Sequence, residues 1–346
     1  MNLLIVDDSA LYRLILKSIL KRVPAVSVVG SARNGLEALE KIKNLDVDLV
    51  TLDVNMPEMD GIEALQEMKK IQPELKVIMV SSLSRESAAI TVEALEHGAY
   101  HFITKPETED RQQSELELLK QFKVLLESVT PKVSQARGYK ARDSGLFDLV
   151  EPVRKPRKFE LMTIGISTGG PKALAVFLPQ LPKTFPVPIV IVQHMPALFI
   201  YSLAESLDRQ CSLKVKVAEE GEIFKAGVVY FSQGGKHLGL ESEGVFKARY
   251  NDDAPVNYCK PSVDVLWSSL AKRDCSNVLA LIMTGMGNDG TAGLKDLKPK
   301  GAYVLGQDRE SSVVYGMPKM ASDAGLVDEK FSLKDAASVV RGFLGS

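Results

Sequence analysis

The sequence predicts two α/β domains in tandem, each built on a doubly wound, mostly parallel sheet, with a linker between them. Short apolar runs alternate with amphipathic helical stretches through residues 1–127, and the same alternation resumes at 160. Between these regions a polar, basic stretch breaks the pattern, with eight Lys or Arg against three Asp or Glu and three Pro over residues 131–158. A length of 346 residues also suits two domains of ordinary size better than one.

In the first half, strands are read in LLIVDD (3–8), VSVVG (26–30), VDLVTLDV (47–54), LKVIMVSS (75–82) and YHFITK (100–105). Helical spacing follows each of them, over 9–22, 34–44, 60–72, 85–97 and 114–127. Five βα units in series give parallel strands, because a strand that returns through a helix runs the same way as its neighbour. In the second half, LMTIGIS (161–167) leads into a helix from about 171, and VPIVIVQH (187–194) into a helix ending near 210. LKVKV (213–217), VVYFS (228–232), a helix over 262–272 and NVLALIMTG (277–285) follow. Residues 211–260 are richer in Gly and short strands, which predicts some antiparallel pairing there.

Composition excludes several classes. With 43 basic and 44 acidic residues the net charge is −1, which gives no field for nucleic acid or an anionic membrane surface. The second half carries no helix-turn-helix pattern with a basic recognition helix, so a DNA-binding output is not expected. The opening MNLLIVDD places two carboxylates where a secretory signal needs a basic start and a longer apolar run, and no segment reaches the roughly 18 apolar residues of a membrane span. The expectation is a soluble, cytoplasmic monomer without membrane insertion. Cys211, Cys259 and Cys275 are odd in number and lack CxxC spacing, so neither a disulfide framework nor a zinc site is expected, and all three are read as small buried hydrophobes.

Chemistry-bearing residues gather at strand ends, where open parallel sheets bind ligands. Asp7 and Asp8 end the first strand, Asp53 the third, Ser81 and Ser82 the fourth, and Lys105 the fifth. Three converging carboxylates suit a hard cation such as Mg2+, and one of them could accept a phosphoryl group. Lys105 would then neutralise charge while the Ser81 hydroxyl bonds to the product. Taken singly, Asp8 could cap a helix, Asp53 could begin a turn and Lys105 could be a surface charge.

The second half holds G-x-S-x-G at Gly165, Ser167 and Gly169, on a strand-to-helix transition that can expose a nucleophilic serine. Ser167 could instead cap the helix, and a dinucleotide loop would need Gly where Ser167 stands. His194 ends the next strand and is the first choice of base; His237, in an irregular region, is the second. Asp289, in TGMGNDG (284–290), is the candidate third member. A P-loop is disfavoured there because Thr291 stands where Lys is required, whereas the same loop can turn the Met286 N–H, together with the Thr168 N–H, towards an acyl oxyanion. The order Ser, His, Asp differs from the Ser, Asp, His order of α/β-hydrolases.

Two resemblances rest on these residues. DD at 7 and 8, LDVNMPEMDG (52–61), MVSS (79–82) and TKP (104–106) resemble the receiver domain of bacterial response regulators. This implies a flavodoxin-like fold over 1–125, phosphorylation of Asp53 by a histidine kinase, and Mg2+ held by Asp7, Asp8, Asp53 and the Asn55 carbonyl. It further implies switching through Ser81, Phe102 and Lys105, with Phe102 standing where many receivers have Tyr, and a cis peptide before Pro106. IGISTGGP (164–171), IVIVQHMP (189–196) and LIMTGMGNDG (281–290) resemble the catalytic domain of the CheB chemotaxis methylesterases, here over 158–346 after a linker at 126–157. That resemblance implies Ser167 as nucleophile, His194 as base and acid, Asp289 as orienting carboxylate and Met286 N–H as oxyanion donor. It also implies hydrolysis of γ-glutamyl methyl esters on chemoreceptor cytoplasmic domains, deamidation of receptor glutamines, and obstruction of the site by the unphosphorylated receiver. The residues alone also allow another acyl substrate, or a receiver-regulated binding module without catalysis.

Overall fold

In the computed structural model of the protein, residues 1–106, 110–129, 158–242 and 245–345 are described. The first sheet has five parallel strands, β1 (Asn2–Val6), β2 (Ser27–Ala32), β3 (Leu49–Asp53), β4 (Lys76–Ser81) and β5 (His101–Thr104), in the order β2-β1-β3-β4-β5. Helices α1 (Ala10–Leu20), α2 (Gly35–Asn44), α3 (Gly61–Ile71), α4 (Arg85–Glu96) and α5 (Arg111–Val129) connect and flank the strands. Their starts are chemically marked. Ser9 accepts from the Tyr12 N–H ahead of α1, and Asp60 with Glu63 forms a reciprocal capping box on α3. This is the flavodoxin-like arrangement, and its switch point falls between β1 and β3.

α5 runs to Val129, so the first four residues of the expected linker are helical. The rest of that linker, 130–157, lies outside the described residues. The peptide before Pro106 is not among the cis bonds; the described residues have theirs at Lys260–Pro261.

The second sheet has seven strands, all paired in parallel. At its centre lies β6 (Leu161–Ile166), with β7 (Ile189–Gln193), β9 (Val228–Phe231) and β8 (Lys214–Val217) to one side. β12 (Val278–Ile282), β13 (Tyr303–Gln307) and β14 (Glu329–Phe331) lie to the other. β6, β7 and β12 are buried along their whole length, which is why they read as unbroken apolar runs. The expected antiparallel pairing is the separate hairpin β10 (His237–Ser242) with β11 (Phe246–Asn251).

Helices α6 (Gly170–Phe177), α7 (Ala197–Gln210), α8 (Val263–Leu270), α9 (Thr291–Leu297), α10 (Met317–Asp323) and α11 (Ala336–Leu344) complete the domain. The elements after 290 carry no expectation from the sequence analysis. α9 and α10 are seven residues each and β14 is three, too short for a periodic signal. Beneath the site the Trp267 ring is fully buried, and its indole N–H donates to Thr163 Oγ1 at 2.9 Å, fixing α8 against β6. None of the described helices is long and apolar enough to cross a membrane.

Candidate active site and its receiver

The three candidate catalytic residues leave three neighbouring strands of the second sheet. The register pairs Ile166 with Gln193 and Gly165 with Ile282, so Ser167 and His194 emerge side by side while the loop after β12 returns on the other flank. β6 is central and the chain winds outward from it in both directions, so this edge is the sheet's own crevice.

Ser167 sits in a tight turn rather than at the helix cap. Its N–H donates to Thr284 O at 3.0 Å and its carbonyl accepts from the Gly170 N–H at 2.8 Å, while Gly169 is the N-cap residue of α6. Gly169 has φ 81, a left-handed conformation that a side chain would strain. Gly285 approaches from the facing loop so closely that a Cβ there would lie 2.9 Å from Ser167 Cβ and 2.3 Å from Met317 Sδ. Two buried side chains brace the turn: Gln193 Nε2 donates to Ser167 O at 3.0 Å, and Thr284 Oγ1 donates to Thr168 O at 2.9 Å. Among the described residues the Ser167 hydroxyl makes no hydrogen bond, and neither the Thr168 nor the Met286 N–H has a protein acceptor.

His194 and Asp289 are joined directly, Nε2 to Oδ2 at 2.7 Å. Asp289 is 1% exposed and, among the described residues, takes five hydrogen bonds. Besides His194 they come from Ser262 Oγ at 2.7 Å, the Val263 N–H at 2.7 Å, the Asp264 N–H at 3.2 Å and Asn257 Nδ2 at 3.2 Å. Two of these donors are the first amides of α8, so the helix N-terminus faces the carboxylate. Burial opposes the charge on Asp289, but these donors and His194 hold it well below the usual carboxylate range. Burial likewise opposes charging of His194, yet its contacts with Asp289 and Cys259 carry the imidazole up to about 9. The same bond would favour a charged imidazolium over the neutral ring.

Cys259 was not anticipated at the site. Its Sγ lies 3.5 Å from His194 Nδ1, and it is half-exposed rather than a buried hydrophobe. Its partner is 65 residues away in the chain, so no local spacing announced it. Asn257, Ser262, Asp264 and Gln193 were missed for the same reason. His237, the second-choice base, is fully buried; its Nδ1 accepts from the Ser262 N–H at 3.2 Å and its Nε2 lies 3.1 Å from Ala254 O, so it serves the fold under this loop.

In the first domain Asp7, Asp8 and Asp53 bring carboxylate oxygens within 4.8 Å of one another. Lys105 Nζ bridges two of them, at 3.1 Å from Asp7 Oδ2 and 2.9 Å from Asp53 Oδ2. Burial outweighs Lys105 and pushes Asp53 up to about 6, the state expected of a carboxylate set whose charge a divalent cation would offset. Asn55 follows on the exposed loop after β3. The Ser81 hydroxyl is buried and accepts from Thr91 Oγ1 at 2.8 Å, so in this state it belongs to the α4 network rather than to Asp53.

Phe102 points out of the first domain and stacks on Phe199 of α7, ring centroids 4.5 Å apart and 21° from parallel. Around this stack α4 lies on α7. Arg85 pairs with Glu205 at 3.0 Å, and Glu96 accepts from Ser206 Oγ and Gln210 Nε2, each at 3.2 Å. Val314 packs against the first-domain cluster that includes Leu3, Ile5, Leu16 and Phe122. Val314 belongs to the loop that brackets Ser167, since its carbonyl accepts from the Gly285 N–H at 3.0 Å. The first domain therefore touches both flanks of the site, the helix that follows His194 and the loop beside Ser167.

A receiver-type sheet docked on an α/β domain with a Ser, His and Asp gathered at one sheet edge defines a receiver-coupled hydrolase class. The model of the CheB methylesterase family matches residues 162–340, and that of the response regulator receiver domain matches 3–117. The chain belongs to the CheB methylesterase family, with a receiver domain in front of the catalytic one. It is 40% identical to a protein-glutamate methylesterase/protein-glutamine glutaminase of Desulfotalea psychrophila, over 98% of this chain and 97% of that protein. A protein of the same name from Halalkalibacterium halodurans is 44% identical, again over 98% and 97%. Among solved structures, the Thermotoga maritima CheB methylesterase catalytic domain superposes with TM-score 0.51 at 40% identity, covering 53% of this chain and 97% of that one.

Proposed function

We propose that the chain is a phosphorylation-regulated protein-glutamate methylesterase and protein-glutamine glutaminase, acting in the cytoplasm on chemoreceptors. The observation that carries the catalytic part is the 2.7 Å His194–Asp289 bond beside a serine that leaves the adjacent strand at matched register. Ser167 Oγ attacks the γ-acyl carbon of a methylated glutamate while His194 Nδ1, the ring nitrogen not bonded to Asp289, takes its proton. The oxyanion is received by the Thr168 and Met286 amides, which have no other acceptor among the described residues. His194 returns the proton to the departing methoxide and methanol leaves. Water, deprotonated by the same ring, then releases the glutamate carboxylate from Ser167. With glutamine the leaving group is ammonia, and the same groups serve.

Asp53 is the phosphoacceptor, supplied by a chemotaxis histidine kinase. Asp7, Asp8, Asp53 and the Asn55 carbonyl would hold Mg2+, which when bound neutralises charge on the phosphoryl oxygens. Lys105 already spans Asp7 and Asp53 and stays within reach of the product. Ser81 would have to exchange Thr91 for a phosphoryl oxygen, which moves the loop ahead of α4, the helix docked on α7.

Control follows from docking. Contacts on α7 and at Val314 support a resting state in which the receiver restricts the mouth of the site, and phosphorylation biases the pair towards an open arrangement. A stacked aromatic pair contributes about 0.5–1.5 kcal/mol beyond the area it buries, so Phe102→Ala is expected to raise hydrolysis by the unphosphorylated chain about 2- to 10-fold. An unchanged basal rate in a folded variant contradicts obstruction. The reaction itself is tested by methanol release from receptor cytoplasmic fragments carrying glutamyl methyl esters. A folded chain given Mg2+ and a small phosphodonor that releases none contradicts the reading.

A further inference from the structure

The proposed hydrolysis takes no proton from Cys259, yet the fold holds it against the base. It closes a two-residue turn in which the Val256 N–H donates to Cys259 O at 3.1 Å and the Cys259 N–H to Val256 O at 2.8 Å. The central residues Asn257 and Tyr258 have φ 51 and 63, left-handed values that cost a non-glycine residue about 1 kcal/mol or more. Asn257 is anchored from below, its Nδ2 donating to Asp264 Oδ2 at 2.7 Å and to Asp289 Oδ1 at 3.2 Å. A strained turn pinned in this way fixes where Sγ can be. Among the described residues the thiol has two hydrogen-bonding partners, His194 Nδ1 at 3.5 Å and the Asn257 carbonyl at 3.4 Å.

On the other side of the ring, Nε2 is engaged by Asp289. A neutral His194 therefore carries its hydrogen on Nε2 and turns the Nδ1 lone pair to the thiol. Zinc binds a thiolate at about 2.3 Å and an imidazole nitrogen at about 2.0–2.1 Å, and a tetrahedral angle between them separates the two donors by roughly 3.5 Å. Sulfur and nitrogen already stand 3.5 Å apart. The carboxylate behind the imidazole, itself held by α8, is the outer partner that metal-bound histidines commonly have. His194 is 12% exposed at its side chain and Cys259 is half-exposed, so water can complete the coordination.

We propose that a thiophilic divalent cation, Zn2+ in the first instance, binds between Cys259 Sγ and His194 Nδ1 and switches the hydrolase off. The sulfur–metal bond forms as the thiol proton, with any proton on Nδ1, passes to solvent and two metal-bound waters leave. No electron is transferred. The lone pair that would accept the Ser167 proton is then committed to the metal. The inhibitory consequence rests on the role given to His194 in the proposed reaction; the binding does not.

Cobalt separates the two, because a thiolate ligand gives Co2+ a near-ultraviolet charge-transfer band whether or not the chain hydrolyses esters. The full chain, freed of metal, is titrated with Co2+ alone. One equivalent of band is expected in the wild type and in Cys211→Ser, and none in Cys259→Ser or in wild type alkylated at Cys259. In parallel, Zn2+ is expected to inhibit methanol release reversibly, with Cys259→Ser at least 10-fold less sensitive. No band in the wild type, or a band that survives loss of Cys259, overturns the proposal. A Cys259-dependent band in a chain that releases no methanol upholds the metal site and rejects the hydrolytic reading instead.

Discussion

Ser167→Ala is expected to lower kcat for methanol release by about 10^4- to 10^6-fold while leaving the fold intact. The size follows from the division of labour at the site. Without Oγ no acyl-enzyme forms, and His194, Asp289 and the two amides can then only bind the ester and polarise it for direct attack by water. That residue of catalysis is small but measurable over the uncatalysed rate. Stability should change by less than about 0.5 kcal/mol, because the hydroxyl makes no hydrogen bond among the described residues and the turn is held by backbone, Gln193 and Thr284. Rapid-quench kinetics and thermal unfolding on the same preparation check both halves. A variant that folds normally and keeps more than a hundredth of the rate removes Ser167 from the mechanism.

The second large effect is at Asp289. Asp289→Asn is expected to cost about 10^3- to 10^4-fold in kcat and, unlike the serine variant, about 1–3 kcal/mol of stability. Oδ1 accepts from Ser262, Asp264 and Asn257, and Oδ2 from Val263 and His194, so either placement of the amide NH2 sets a donor against donors in a site 1% exposed. With the NH2 towards His194 the ring must accept at Nε2 and carry its proton on Nδ1, the tautomer that cannot take a proton from serine. Facing the other way, three donors lose their acceptor and the α8 N-terminus its counter-charge. The two variants together separate chemistry from architecture: both slow the reaction, and one of them alone loosens the fold. Equal melting temperatures for the two would contradict the role given to the five-donor carboxylate.

Much of this was legible in the chain. Parallel strands buried on both faces read as apolar runs, and the residues that matter for chemistry follow those runs directly. Asp7, Asp53, Lys105, Ser167 and His194 could thus be placed at sheet edges before any coordinates. What the sequence withheld is contact across long separations. Cys259 reaches His194 from 65 residues away, Asn257 and Ser262 reach Asp289 from 32 and 27 away, and each looks locally like an ordinary turn or cap residue. Phe102 could be named as a switch position by resemblance, but its stacking on Phe199 depends on how two separately patterned domains meet. Spacing along the chain reads disulfide frameworks and CxxC sites, and it is silent on a cysteine such as Cys259 whose neighbour, His194, follows a distant strand.

Methanol release by one full-length preparation, assayed in Mg2+ before and after addition of acetyl phosphate, reads the coupling of the two domains most directly. If the receiver governs the Ser167 site, the rate should rise about 10-fold or more on phosphorylation. Asp53→Asn should stay at the basal rate, and Ser167→Ala should release essentially nothing in either condition. Equal rates with and without the phosphodonor, in a chain shown by mass to carry phosphate on Asp53, would contradict the claim that the two domains form one switch.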